Sequence, residues 1–304
     1  VRVAILGAGA MGSWLGALLA HAGHDVTLLA RREHAAVVAS QGLLVTGRTQ
    51  LAVRPKVATR PEDAAVPDLL VVSVKAYDTA KAMRDAAPLL GARTQVLSFQ
   101  NGLGNVETIS QSVDPRRVFA AVTTHGVTFV EPGHVEHAGV GYFRVGSPAG
   151  ERDAARRLAA EIAKTGLEVE FSDSIVGEVW AKVVVNAAIN PLTAITGLRN
   201  GALLQVPALR ELMQRVVEEA VDVARAEEAP LPGDDMLARA RRVAELTAGN
   251  KSSMLQDVER GRPTEIDAIC GEIVQRGLAR GVDTPVNLTL RALVKGVEES
   301  TRRR

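Results

Sequence analysis

The stretch Val3-Ala-Ile-Leu-Gly-Ala-Gly-Ala-Met-Gly12 constrains what this chain can fold into more than any other. A short β-prone apolar run ends in Gly7-x-Gly9-x-x-Gly12, and an uninterrupted helical pattern follows it. Strand, glycine turn and helix in that order form the context that a dinucleotide-binding turn requires. Gly7 permits the tight turn, and Gly9 lets the backbone come close to a pyrophosphate. Gly12 lets the helix pack on the strand, so that the free N–H groups at the helix start face the anion. The run Gly7, Ala8, Gly9, Ala10, Met11 and Gly12 is therefore the expected phosphate cradle.

The second strand refines the expectation. His24-Asp25-Val26-Thr27-Leu28-Leu29-Ala30 reads as a short apolar strand followed by Arg31-Arg32. Where NAD is preferred, an Asp or Glu about 20 residues after the glycines bonds the ribose 2′-hydroxyl. No acid ends this strand; Glu33 lies two positions beyond Arg31. An arginine there pairs instead with a 2′-phosphate through charge-assisted hydrogen bonds, which favours NADP.

Composition narrows the class further. The 304 residues suffice for two domains, and 46% hydrophobic with 23% charged residues is globular composition. A formal net charge of +1 gives no bulk signal for nucleic acid or an acidic membrane. Cys270 is the single cysteine, so no intrachain disulfide forms and a reducing, cytoplasmic setting is expected. Residues 3–20 are uncharged and end near Ala20-His21-Ala22, but three glycines at fingerprint spacing argue against a signal peptide. No other segment looks long and apolar enough to span a bilayer. A homodimer is compatible with the sequence.

Along the chain, two halves differ in character. Up to about residue 172, apolar runs alternate with amphipathic segments. The candidate strands are Val3–Leu6, Val26–Leu29, Leu69–Val74, Gln95–Phe99, Val118–Thr123, Gly139–Val145 and Glu168–Phe171. Helical patterns such as Thr79–Leu90 and Arg152–Lys164 lie between them, and Gly133–Val145 reads as an edge hairpin. Such alternation predicts a doubly wound parallel sheet of Rossmann type over residues 1–172. From Asp173 onward the pattern is helical, with Ser174–Ile189, Ala208–Ala229, Gly233–Ala248 and Glu265–Arg280 as segments. Residues 173–304 are thus expected to form an all-helical substrate and catalytic domain.

That helical half carries the polar residues suited to catalysis. Lys182-Val-Val-Val-Asn186-Ala-Ala-Ile-Asn190 places a lysine and two asparagines at i, i+4 and i+8 on one helix side. Their apolar neighbours imply burial, and a buried polar stripe must find hydrogen bonds in the protein or in a ligand. Pro191 is expected to end or kink this helix. A second cluster, Asn250-Lys-Ser-Ser253, can cap a helix or touch a ligand, and so can Thr264 before Glu265-Ile-Asp267. His134 and His137 stand three apart but lack partner ligands, so no metal is expected. Cys270, Trp14 and Trp180 read as core.

Taken together, these segments resemble the ketopantoate reductase family. The resemblance rests on the glycine fingerprint, Lys75, Gln100-Asn101-Gly102 and Thr123-Thr-His125-Gly. It continues through Lys182-x-x-x-Asn186-x-x-x-Asn190-Pro-Leu-Thr-Ala194, Asn200-Gly201, Asn250-x-Ser-Ser253-Met-Leu-Gln-Asp257 and Thr264-Glu265-Ile-Asp267. It implies NADPH-dependent reduction of 2-dehydropantoate to (R)-pantoate in pantothenate and coenzyme A synthesis. It implies Lys182 as proton donor, with Asn101, Asn186, Asn190, Asn200, Asn250 and Ser253 beside the substrate. Arg31, Lys75, Asn101, Val127 (through its backbone) and Glu265 would join the cradle in holding NADPH. Two other readings stay open: reduction of a different 2-oxo acid on the same fold, and a cofactor-sensing protein without turnover. A sensor has no use for a proton donor.

Overall fold

The computed structural model describes residues 1–233 and 235–302. Two compact units divide the chain: Val1–Gln100 with Asn105–Ile175, and Asn101–Gly104 with Val176–Arg304.

The first unit begins β1 (Arg2–Leu6), α1 (Ala10–His21), β2 (Asp25–Leu29) and α2 (Arg32–Gln41). Three short strands follow, β3 (Leu43–Gly47), β4 (Leu51–Val53) and β5 (Lys56–Ala58), then β6 (Leu69–Val72) and α3 (Thr79–Asp85). The unit continues with β7 (Gln95–Ser98), α4 (Asn105–Ser110), β8 (Val118–Thr123), β9 (Gly126–Glu131) and β10 (His134–Gly139). It closes with β11 (Phe143–Gly146), α5 (Arg152–Ala163) and β12 (Val169–Phe171). Eight strands form a sheet in the order β12-β11-β8-β7-β6-β1-β2-β5. Every pairing in it is parallel except β8 with β11.

Why the strands read as unbroken apolar runs is visible in the core. Val3, Ile5, Leu69, Val71 and Leu97 feed one buried cluster, while Ala4, Leu6, Leu70, Val72 and Val96 feed another. Successive side chains point to opposite faces, so a sheet covered on both faces needs apolar residues at every position.

A second sheet, ordered β4-β3-β10-β9, corrects the edge hairpin expected over Gly133–Val145. The hairpin is β9–β10, in this separate sheet, and β11 alone enters the main one. The chain turns between Gly139 and Phe143, where a Cβ on Gly141 would stand 2.7 Å from the His125 nitrogen. The missed strands β3, β4 and β5 have 5, 3 and 3 residues, and β3 and β4 pair in a sheet whose other strands, β9 and β10, lie far along the chain. The helix expected over Thr79–Leu90 stops at Asp85, and a 3-10 turn, Ala87–Leu89, takes over around Pro88.

The second unit consists of α6 (Ile175–Thr196), α7 (Pro207–Ala226), α8 (Met236–Leu246), α9 (Ser253–Glu259), α10 (Glu272–Arg280) and α11 (Pro285–Arg302). Pro191 does not end α6, which runs on for five more residues. By length and composition α6 could cross a bilayer, contrary to the sequence expectation for this region. However, 72% of its most apolar window is buried inside the protein, and its buried side chains join an apolar core cluster, so it is a core helix. Its Val183, Val184, Ala187 and Ala188 pack with Val216, Ala220, Ile269 and Ile273. The segment expected as one helix over Glu265–Arg280 opens with a π turn, Asp267–Gly271, before α10 begins.

Candidate active site

In the first unit, β1 lies between β6 and β2, so the chain leaves β1 at the point where the strand order reverses. Ligands of open α/β sheets bind beyond the carboxyl ends of the strands at such a point. Gly7 sits there with φ +100°, and a Cβ on it would stand 2.7 Å from the Val74 nitrogen. A Cβ on Gly12 would stand 2.5 Å from the Gly7 carbonyl, so the helix packs this close only with glycine. Among the described residues nothing lies within 4 Å of a Cβ on Gly9, so packing does not demand that glycine. The open space above Gly9 suits a closely approaching phosphate.

Backbone bonds fix the cradle. Gly7 and Ala8 donate to the Leu29 carbonyl at 3.3 and 3.0 Å, and the Ser73 hydroxyl donates to the Gly7 carbonyl at 2.8 Å. The first turn of α1 closes with Ser13 N–H on the Gly9 carbonyl at 2.9 Å, and no side chain caps it. The N–H groups of Ala10, Met11 and Gly12 therefore point out of the helix start, where the positive end of the helix dipole lies. Arg31 and Arg32 follow the carboxyl end of β2, exposed and without an ion-pair partner among the described residues. Lys75 follows β6, half-buried, three residues beyond the strand. Val127 lies on β9 in register with His137.

Sequence reasoning missed the polar brace behind the cradle. Gly133 donates to His34 Nδ1 at 2.9 Å, which leaves the proton on Nε2. That nitrogen donates to Ser13 Oγ at 3.1 Å, and Ser13 donates on to the Ala8 carbonyl at 3.1 Å. A second brace joins His137 to His125 at 3.0 Å and to Thr49 at 2.8 Å, with both imidazoles about 5 Å from the Trp14 ring. His137 Nε2 also donates to the Gly139 carbonyl at 3.0 Å, and His125 Nδ1 accepts from Gly141 at 3.3 Å. Burial, with His137 alongside, holds the His125 pKa down to about 4. Polar residues that interrupt an apolar pattern, such as Ser13 in α1, were the available signal.

In the second unit, Lys182, Asn186 and Asn190 lie along α6, spanning about 12 Å of helix rise. Lys182 and Asn186 are half-buried and Asn190 is buried. Desolvation pushes the Lys182 pKa down to about 8, against the opposing pull of the Glu265 carboxylate. An amine poised there is charged near neutrality and gives up its proton readily. Glu265, itself buried, accepts from Asn101 Nδ2 at 3.4 Å. Asn101 follows β7 in the chain, yet belongs to the helical unit.

The remaining polar residues gather near the carboxyl end of α6. Asn200 donates through Nδ2 to Thr247 Oγ1 at 2.9 Å and through its backbone to the Asn250 carbonyl at 3.1 Å. Its buried Oδ1 finds no hydrogen-bond partner among the described residues, as an acceptor reserved for a ligand would. Thr193 on α6 shares a 2.7 Å hydrogen bond with Ser252. Ser252 also caps α9, accepting from Leu255 N–H at 3.0 Å; the capping role expected of Asn250 or Ser253 falls to it. Asn250 and Ser253 are left exposed. Thr264 proves structural, held by the buried Glu298 at 2.6 and 2.8 Å.

A glycine cradle at a helix start in one unit and an amine with a lowered pKa in the other are each components that nicotinamide-dependent reductases use. Residues 3–150 match the family profile "Ketopantoate reductase PanE/ApbA", and residues 174–298 match "Ketopantoate reductase PanE/ApbA C terminal". The chain is 41% identical to a 2-dehydropantoate 2-reductase of Archaeoglobus fulgidus over 298 residues, 98% of each chain. A PanE/ApbA family ketopantoate reductase from Ralstonia eutropha superposes with TM-score 0.92 at 37% identity, over 99% of this chain and 100% of that one. A D-mandelate dehydrogenase with NADH and anilino(oxo)acetate superposes with TM-score 0.94 at 29% identity, over 99% of each chain. The chain belongs to the ketopantoate reductase family, whose members are NAD(P)H-dependent oxidoreductases.

Proposed function

We propose that this protein reduces 2-dehydropantoate to (R)-pantoate with NADPH, the first unit holding the nucleotide and the second the oxo acid. The observation that carries the chemistry is Lys182, an amine with its pKa lowered to about 8 on a helix that also presents Asn186 and Asn190. The name shared by relatives such as that of Archaeoglobus fulgidus supports the substrate.

The nucleotide site would comprise the helix start at Gly7, Ala8, Gly9, Ala10, Met11 and Gly12, with Arg31 on the 2′-phosphate. Lys75, Asn101, the Val127 backbone and Glu265 would complete it. The bound nicotinamide supplies a hydride. Lys182 stabilises the alkoxide that forms on the substrate and then donates its proton to that oxygen. Asn186, Asn190, Asn200, Asn250 and Ser253 orient the carboxylate and hydroxyl groups with neutral donors and acceptors, which cost less to desolvate than charges.

The likeness to D-mandelate dehydrogenase favours a second reading, in which a bulkier 2-oxo acid and NADH are used. NADPH and NADH oxidation followed over a panel of aliphatic and aromatic 2-oxo acids separates the two. The highest kcat/KM is expected for 2-dehydropantoate with NADPH; a higher value for an aromatic acid, or equal use of both nucleotides, would sink the corresponding part.

A further inference from the structure

The four residues Asn101–Gly104 are held by one face of the helical unit, through contacts that no role above explains. Leu103 is buried in that unit's apolar core. Its N–H donates to the Ala268 carbonyl at 2.9 Å, and Ala268 lies inside the π turn Asp267–Gly271. A widened turn leaves carbonyls outside the regular i to i+4 ladder, and such turns concentrate at functional sites. Gly102 (φ +89°) lies so close that a Cβ on it would stand 2.6 Å from Ala268 Cβ and 2.7 Å from its carbonyl oxygen. A Cβ on Gly104 would stand 3.0 Å from the Glu272 carboxylate. From the outer side, Arg291 and Lys295 grip Asp267 at 2.8 and 2.6 Å, bracing the first residue of the turn. The segment therefore clips along Glu265, Ala268 and Glu272, and its first residue, Asn101, bonds the Glu265 carboxylate.

We infer that Gly102, Leu103 and Ala268 are positioning residues: docked on the π turn, they hold Asn101 against the buried Glu265 carboxylate and so fix where that carboxylate sits in the helical unit. A Cβ at position 102 has no room, and without the Leu103 anchor the segment loses its apolar seat. In either case Glu265 loses the Asn101 amide and no longer sits where it sustains the ammonium. Because Glu265 raises the Lys182 pKa against desolvation, displacing it lowers that pKa further.

This inference rests on the reading of Lys182 as proton donor, so its test needs a readout apart from turnover. The Lys182 ammonium is titrated by NMR of the reductively carbon-13-methylated protein, its signal assigned by absence in Lys182→Met. In Glu265→Gln the titration should move to lower pH. Gly102→Ala and Leu103→Ala should move it the same way, while kcat/KM falls on the order of 10²-fold with its basic limb at lower pH. In the double variant Gly102→Ala/Glu265→Gln the glycine change should add no further shift, because the carboxylate it positions is gone. An unmoved titration in the folded single variants, or a full second shift in the double, would overturn the inference. If Gly102→Ala does not fold, Leu103→Ala decides alone, since it introduces no clash. Retained turnover in Lys182→Met would refute the proton-donor reading instead, and the titration would still report on the clip.

Discussion

At the scale of the residue, the proposed function rests mostly on one amine, Lys182, and one guanidinium, Arg31. Lys182→Ala should bind NADPH as the parent does but turn over roughly 10²–10⁴-fold more slowly, the usual cost of a lost general acid. Lys182→Met keeps the aliphatic stem and should fail equally, which assigns the loss to the charge. With the Lys182 pKa at about 8, ketone reduction should fall as pH rises through 8 while alcohol oxidation rises, because the amine gives its proton in one direction and takes it in the other. A kcat/KM profile flat from pH 6 to 10 would exclude this lysine as the donor. Arg31→Ala should weaken NADPH by about 1–3 kcal/mol and leave NADH nearly unaffected, as compared KM values would show.

At the scale of the element, legibility depended on how far a pattern extends. The glycine turn, the parallel strands and α6 were readable because apolar periodicity persists over whole elements and both sheet faces are covered. The second sheet was not, because β4 has only 3 residues and β3 joins β10 from 88 residues away through partners such as Thr46 and His134. The polar stripe on α6 was legible as spacing, whereas the π turn was not, since a widened turn is set by tertiary contacts rather than by period. The histidine brace adds a prediction of its own. His125 titrates near 6.5 when unfolded and at about 4 when folded, so the unfolded chain binds the extra proton first. Its contribution is intact above pH 6.5 and should drain away as pH falls towards 4. Urea midpoints at pH 7 and pH 4.5 should differ more for the parent than for His125→Gln, and equal differences would contradict this account. In α1, Gly12→Ala should cost about 1–3 kcal/mol through overlap with the Gly7 carbonyl, read as a lower Tm.

At the scale of the whole molecule, the chain passes between its two units three times, after Gln100, after Gly104 and after Ile175. A cut between residues 172 and 173, where strands give way to helices, would thus leave the helical fragment short of a part of itself. The seat of Leu103 and the Ala268 carbonyl would stand open. A synthetic peptide covering residues 95–110 should then raise the fragment's Tm as its concentration rises, the signature of a molecule that binds only the folded form. No stabilisation at millimolar peptide would mean that the helices need no such help. Within the intact chain the same four residues act as a tethered ligand, and the effective concentration set by the tether at both ends takes the place of affinity.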